Sequence, residues 1–162
     1  MLNECRKING LSEIYYPKTK KERENFINSK SGKLITKFQY KVYDLCSQIP
    51  EGYISTYKLL ANALKSSPRA VGGSLRVNPF SPFIPCHRVI ASNFFIGGFD
   101  GEWIVHQSHQ SLLNNKKHEE IFNSNKISRK RELLEKEGIF FDNNGWLIDW
   151  QNSKRLFTDF HL

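Results

Sequence analysis

The sequence predicts a mainly α-helical domain that contains a helix-turn-helix and a small β-hairpin. From Lys37 onward, apolar residues recur at helical spacing until Pro50 and Gly52 end the run. Two shorter helical segments follow, and a tight polar turn separates them, which is the pattern of a helix-turn-helix. Near the C-terminus, "IFFDNNGWLI" has two apolar stretches around an Asx-Gly turn, which is typical of a β-hairpin.

Capping residues mark where the individual helices begin and end. Thr56 is placed to cap the first helix of the helix-turn-helix. Ser67 is an N-cap residue for the second helix, and Pro68 suits its first position. Ser128 and Gly138 are predicted to open and close a later helix in "SRKRELLEKEG".

Length and charge indicate one domain with extensions and an anionic partner. The 162 residues include 24 Lys and Arg against 16 Asp and Glu, a formal charge of +8 that favours nucleic acid. Residues 1–36, with the cluster "KTKKERE", are predicted to be a basic N-terminal extension, and residues 151–162 a C-terminal one. The domain between them, residues 37–150, contains a polar insertion at about 103–127.

The cysteines and the N-terminus indicate where the protein works. The cysteines are Cys5, Cys46 and Cys86, and Cys46 falls on the apolar face of its predicted helix. Three irregularly spaced cysteines favour a reducing compartment over a disulfide framework, and no metal site is predicted. "MLNECRKING" lacks an apolar signal core, so we expect an intracellular protein, nuclear in a eukaryote and cytoplasmic in a prokaryote.

The second helix of the helix-turn-helix has an unusual composition. Gly72 and Gly73 lie in its middle, where each costs about 1 kcal/mol relative to alanine. Either a neighbouring element packs tightly there, or Ala70 and the two glycines form a side-chain-poor surface that fits a DNA backbone or minor groove. Arg69 and Arg76 on the same helix favour DNA.

The stretch "PFIPCHRVI" places Cys86 directly before His87. A thiol with a reference pKa of about 8.5 needs a base to become a nucleophile at neutral pH, and imidazole is suited to that role. Adjacent residues of a strand point to opposite faces, so the pair needs a turn or a bridging water. A buried cysteine beside a structural histidine gives the same dipeptide, and the dipeptide alone does not decide between them.

Three segments together, "RAVGGSLRVNP", "IPCHRVI" and "KRELLEKEG", resemble the active domain of the O6-alkylguanine-DNA alkyltransferases, the methylated-DNA-protein-cysteine methyltransferases. The resemblance covers roughly residues 37–101 and 128–145, and the family's larger N-terminal domain is absent from it. It implies a winged-helix-like domain without a cofactor, acting as a monomer on double-stranded DNA that contains O6-alkylguanine. The implied reaction is single-turnover transfer of the alkyl group, after minor-groove binding and base flipping.

The resemblance also implies catalytic roles. Cys86 would be the acceptor thiol, His87 the base acting through a bridging water, and Glu137 the carboxylate that orients the imidazole. Tyr57 would help to extrude the base and donate a hydrogen bond or a proton to the departing guanine. Arg88 is predicted to be an ion-pair partner and not a catalyst.

The implied contacts with DNA lie mainly on the helix-turn-helix. Arg69 would fill the gap left by the flipped nucleotide, and Asn78 would be the hinge after the recognition helix. The full implied set is Thr56, Tyr57, Arg69, Ala70, Gly72, Gly73, Arg76, Asn78 and Ser92. In the base pocket, Phe99 and Asp100 stand where many members have tyrosine and serine. An ionised carboxylate accepts but does not donate a hydrogen bond, which leaves the alkyl preference open.

Three other functions share parts of this pattern. A non-catalytic protein that recognises alkylated bases would have the same surface but lack the acceptor cysteine. A helix-turn-helix regulator would bind a defined DNA sequence and ignore alkylation. A thiol hydrolase would turn over repeatedly and would not need the glycine-rich helix.

Overall fold

The computed structural model describes residues 7–8, 11–12, 14–99, 125–148 and 154–162. Most of its regular structure is helical, as predicted. The helices are α1 (Lys20–Asn25), α2 (Lys37–Cys46), α3 (Tyr57–Ala63), α4 (Pro68–Arg76) and α5 (Asn125–Lys136), with one 3-10 turn at Cys86–Arg88. The strands are β1 (Lys7–Ile8), β2 (Leu11–Ser12), β3 (Ser55–Thr56) and β4 (Val89–Ile90). In this part of the chain, no helix has the length and apolar character needed to cross a membrane.

Local sequence explains where the central helices begin. Thr36 caps α2 in a capping box with Gln39, and the inner face of α2 includes the fully buried Cys46. The Thr56 hydroxyl accepts a hydrogen bond from the Leu59 amide at the start of α3. Ser67 caps α4 and Pro68 is its first residue, so both predicted caps of the helix pair are confirmed.

Strand β4 joins the two hydrophobic clusters of the molecule. It pairs in parallel with β3, with Ser55 opposite Val89 and Thr56 opposite Ile90. Val89 packs into the cluster built by α2, α3 and α4, and Ile90 packs into the cluster that includes α5. Because β4 directly follows the Cys86–Arg88 turn, the thiol lies where the two halves of the core meet.

The C-terminal half differs in two details from the prediction. Helix α5 begins at Asn125 and not at Ser128, because the buried Ile127 extends the inner face of the helix by one turn. Gly138, with φ of +77°, follows its end as predicted. The expected hairpin is limited to one antiparallel bridge between Phe141 and Leu147.

Both extensions pack on the domain. Tyr16 is buried in the hydrophobic cluster built by α2, α3 and α4, although residues 1–36 are mostly polar. Arg23, in α1, forms two hydrogen bonds with Asp44 of α2, at 2.7 and 2.8 Å. At the other terminus, Phe157 and Phe160 pack against the same cluster. A few apolar residues therefore attach both extensions to the domain, although the extensions are mostly polar.

Candidate active site

The adjacent cysteine and histidine lie in a single 3-10 turn, Cys86–Arg88, which allows both side chains to serve one site. Pro85 precedes the turn, and the Val89 amide closes it by donating to the Cys86 carbonyl. A single 3-10 turn removes the alternation that a strand would impose. Cys86 is 8% exposed and His87 is 3% exposed. The thiol thus reaches the surface of the core, and the imidazole lies beneath it.

His87 is held by Glu137, as the resemblance implied. The Nε2 atom lies 2.8 Å from Glu137 Oε1. Because an ionised carboxylate only accepts, Nε2 carries the proton and Nδ1 is the basic nitrogen. Nδ1 is buried and has no hydrogen-bond partner among the described residues. Burial lowers the pKa of His87, and Glu137 opposes that shift, so the imidazole is neutral at pH 7 and able to accept a proton.

Glu137 is itself fixed by three donors. Its Oε2 accepts from Arg88 Nε at 2.9 Å and from the Gly52 amide at 3.2 Å, while Oε1 accepts from Arg88 Nη2 at 3.0 Å as well as from His87. Burial acts to raise the pKa of Glu137, but the bonds from Arg88, His87 and Gly52 outweigh it and lower the pKa. The contact of Arg88 Nε with Glu137 is the predicted ion pair, and Arg88 also donates to the Ile49 carbonyl at 2.8 Å. We call His87, Arg88 and Glu137 the buried polar network.

Tyr57 begins α3 and lines the same cavity as Cys86. Its hydroxyl donates to the Gly98 carbonyl at 3.3 Å, a long hydrogen bond. Burial strongly raises the pKa of Tyr57, so the phenol keeps its proton at neutral pH. At that pH it can donate a hydrogen bond.

Lys130, for which the sequence predicts no role, also contributes to the site. Its side chain is fully buried, and Nζ donates to the carbonyls of Val89, Ile96 and Gly98 at 2.8, 2.7 and 3.1 Å. Burial lowers the pKa of Lys130 to about 7. The three hydrogen bonds join Val89 of β4 to the segment that contains Ile96 and Gly98. The one available signal was its position three residues after the apolar Ile127, on the inner face of α5.

A cavity of about 610 Å³ opens beside the thiol. It is lined by Tyr57, Lys58, Pro68, Arg69, Gly72, Gly73, Leu75, Arg76, Cys86, Ala91, Ser92, Gly98 and Phe99. Eight of the predicted site residues therefore meet around one opening. Its charged lining residues, Lys58, Arg69 and Arg76, are all basic and exposed.

The glycines of α4 are not required by packing within the described residues. A Cβ on Gly73 would meet nothing within 4 Å. A Cβ on Gly72 would lie 4.0 Å from the Tyr57 ring, which is ordinary van der Waals contact. Tight packing against a neighbouring element therefore does not explain the two glycines. This favours the other interpretation, a side-chain-poor surface for an external partner.

Other predicted residues lie outside the cavity lining. Asn78 is buried after α4, where Nδ2 donates to the Ile84 carbonyl at 3.1 Å and Oδ1 accepts from the Phe80 amide at 3.0 Å. It fixes the chain between α4 and the cysteine turn. Thr56 serves as the α3 cap, and Ala70 lies half-buried on α4.

Some predictions fall outside the described residues. Asp100 and residues 101–124, which include most of the predicted insertion and its histidines, are among them. Within the described ranges, no group of three or more His, Cys, Asp or Glu side chains is placed to hold a metal ion.

A family model described as "6-O-methylguanine DNA methyltransferase, DNA binding domain" matches residues 37–139. The chain belongs to this family. A methylated-DNA–protein-cysteine methyltransferase of Thermococcus sibiricus is 51% identical over 59 residues, covering 36% of this chain and 34% of the relative. Another, of Saccharolobus islandicus, is 38% identical over 102 residues, covering 63% of this chain and 51% of the relative. The chain thus spans about half or less of the length of these two methyltransferases.

The fold also resembles a solved structure. The crystal structure of S. pombe ATL in complex with DNA aligns with a TM-score of 0.52 at 24% identity, over 77% of this chain and 98% of that chain. At this identity the likeness concerns the fold alone. The alignment covers nearly the whole of the ATL chain, so the two proteins share their fold over that length.

Proposed function

We propose that the protein repairs DNA by moving an alkyl group from O6-alkylguanine to its own Cys86, irreversibly and once per molecule. The observation that carries the proposal is that Cys86, whose neighbour in the chain is the buried base His87, lines a cavity together with basic residues and glycines. Membership of the methyltransferase family supports the same reaction. The activity is that of a methylated-DNA–protein-cysteine S-methyltransferase.

The chemistry follows from the network behind the thiol. His87 Nδ1 takes the Cys86 proton through a bridging water, and Glu137 stabilises the imidazolium that forms. The thiolate sulfur then bonds to the alkyl carbon as the bond from that carbon to guanine O6 breaks, leaving the electron pair on the purine. Tyr57 supplies a proton to the purine. The thioether that remains is neither a nucleophile nor a leaving group, so the reaction stops.

The DNA-binding part of the proposal concerns α3 and α4. Here α3 and α4 form the helix-turn-helix of a winged-helix-like domain, and α4 enters the minor groove. The open space above Gly73 supports close approach of a backbone. Arg69, which is exposed at the N-terminal end of α4, occupies the gap left by the flipped nucleotide. Thr56, Ala70, Arg76, Asn78 and Ser92 complete the contact set, and Phe99 with Asp100 forms the base pocket.

The proposal extends to organisation and location. The protein acts as a monomer, with residues 37–150 as the alkyltransferase domain, residues 1–36 and 151–162 as extensions and an insertion at about 103–127. It works inside the cell, wherever DNA is held. No cofactor takes part, because the thiolate and a proton donor suffice for the displacement.

A time course with duplex DNA carrying one O6-methylguanine tests the proposal. Methyl transfer should rise to one equivalent of protein and then stop, and Cys86→Ala should bind the duplex without transferring. Repeated turnover would identify a hydrolase instead. Binding without any loss of the methyl group would identify a recognition protein, and equal binding of unmodified DNA of one sequence would identify a regulator.

A further inference from the structure

The C-terminal segment 155–161 runs beside the chain that leads into β3. The Ile54 amide donates to the Arg155 carbonyl at 2.9 Å, and the Phe157 amide donates to the Ile54 carbonyl at 2.7 Å. The Ser55 hydroxyl donates to the Phe157 carbonyl at 2.9 Å. The segment therefore adds a parallel neighbour to the outer side of Ile54 and fixes its backbone.

The chain held in this way supplies backbone groups to the buried polar network. The Ile49 carbonyl accepts from Arg88 at 2.8 Å. The Gly52 amide donates to Glu137 Oε2 at 3.2 Å. Because these backbone groups set the positions of Arg88 and Glu137, any displacement of residues 49–54 reaches the carboxylate that orients His87.

The Arg155 side chain contacts the backbone of Glu137 and of Gly138. Its Nη1 donates to the Gly138 carbonyl and, at 3.4 Å, to the Glu137 carbonyl. These are carbonyls just beyond the end of α5, where a cation is favourable. A Cβ on Gly138 would lie 3.1 Å from Arg155 Nη1, so the guanidinium packs closely over this glycine.

We propose that Arg155 is a positioning residue for alkyl transfer, which holds the backbone of Glu137 so that its carboxylate stays on His87 Nε2. This inference rests on the proposed function, because it concerns the activation of the same thiol. The side chain of Arg155 is exposed, and its bonds to Glu137 and Gly138 are made to their backbone carbonyls, so we assign it a role through Glu137 and not on the substrate. Its role is thus distinct from that of Arg88, which binds the carboxylate directly.

Loss of Arg155 should weaken the base and leave the thiol intact. The charged and titratable groups around His87 are Glu137, Arg88, Lys130 and Cys86, and none of them is removed. If the Glu137 carboxylate moves away from Nε2, the imidazolium loses its main stabilising partner and the proton is less readily taken from Cys86. The defect should therefore shrink as the pH rises, because hydroxide then replaces the base in removing the thiol proton.

The test compares single-turnover transfer rates of the full chain from about pH 6 to pH 10 for wild type, Arg155→Ala, Arg155→Lys and Lys154→Ala. Lys154→Ala removes an exposed neighbouring charge of the same sign and should match wild type. Arg155→Ala should be about three- to tenfold slower near pH 7, a fraction of what a general base contributes. It should approach wild type at high pH, with unchanged affinity for unmodified duplex. Arg155→Lys should recover part of the loss.

Two results would overturn the inference while leaving the proposed function intact. One is a rate for Arg155→Ala equal to that of Lys154→Ala throughout. The other is a loss of the same factor at every pH, which would make Arg155 a stabilising residue only. If circular dichroism shows that Arg155→Ala does not fold, the folded Arg155→Lys decides by the same pH criterion. Failure of the proposed function is seen separately, as absence of transfer by wild type.

Discussion

The two sides of Cys86 are built in opposite ways. Behind it, the buried polar network is closed, because Glu137 accepts hydrogen bonds from His87, from Arg88 and from the Gly52 amide. In front of it, the surface of α4 is open, and the Cβ position of Gly73 faces empty space. On the first side, the hydrogen bonds to Glu137 come from within the chain. The second side is the surface that the proposed DNA partner would cover, so the difference separates a catalytic part from a binding part.

The largest effect should come from opening the closed side. Glu137→Gln leaves the largely buried charge of Arg88 without its partner, which should lower the free energy of unfolding by about 3 kcal/mol at pH 7. The folded pKa of Glu137 lies below its unfolded value, so its contribution is present above about pH 4.5 and is lost as the pH falls through the folded pKa. Denaturant unfolding at several pH values measures this. Glu135→Gln, at an exposed carboxylate in the last turn of α5, is the control, and an equal loss there would contradict the network.

Removing the base should reduce the rate without removing the nucleophile. His87→Ala should slow transfer about 10²-fold near pH 7, and the loss should shrink at high pH because hydroxide then removes the thiol proton without the imidazole. Rapid-quench measurements across pH test this. His161→Ala, at an exposed histidine, should behave as wild type. A deficit for His87→Ala that is constant with pH would assign the residue to structure.

On the open side, Arg69→Ala should separate transfer from binding. Its side chain is expected to fill the gap in the base stack after base flipping, so the transfer rate should fall about tenfold. The affinity for unmodified duplex should fall only as much as the loss of one phosphate contact would lower it. Arg129→Ala, an exposed arginine on α5, removes the same charge elsewhere. Equal losses of transfer and binding would make Arg69 a phosphate contact.

The smallest expected change tests the α4 glycines. Gly73→Ala should stabilise the free protein by about 0.5–1 kcal/mol, because its Cβ meets nothing and α4 gains a better helix former. The same methyl group should weaken binding to duplex DNA. Gly32→Ala is the contrast, since φ of +66° makes alanine unfavourable there and no DNA effect is expected. Unchanged DNA affinity of Gly73→Ala would remove the reason for glycine in α4.

The comparison also explains what the sequence could predict. Thr56 and Ser67 mark their helices through contacts three residues away, which a local pattern contains. The Gly52 amide reaches Glu137 across 85 positions, and a backbone donor carries no residue-type signal. Lys130 has the composition of a surface residue, and only tertiary packing shows that three carbonyls surround it. The pairing of His87 with Glu137 came from family resemblance and not from spacing.

The identity of the alkylated residue tests the central claim most directly. Incubation with duplex DNA containing O6-methylguanine, followed by intact mass and peptide mapping, should show a gain of about 14 Da, one CH2, on Cys86 and on no other residue. Cys46 is an internal control, since full burial raises the pKa of its thiol. A methyl group on Cys5 or Cys46, or more than one methyl group removed per protein molecule, would contradict the account.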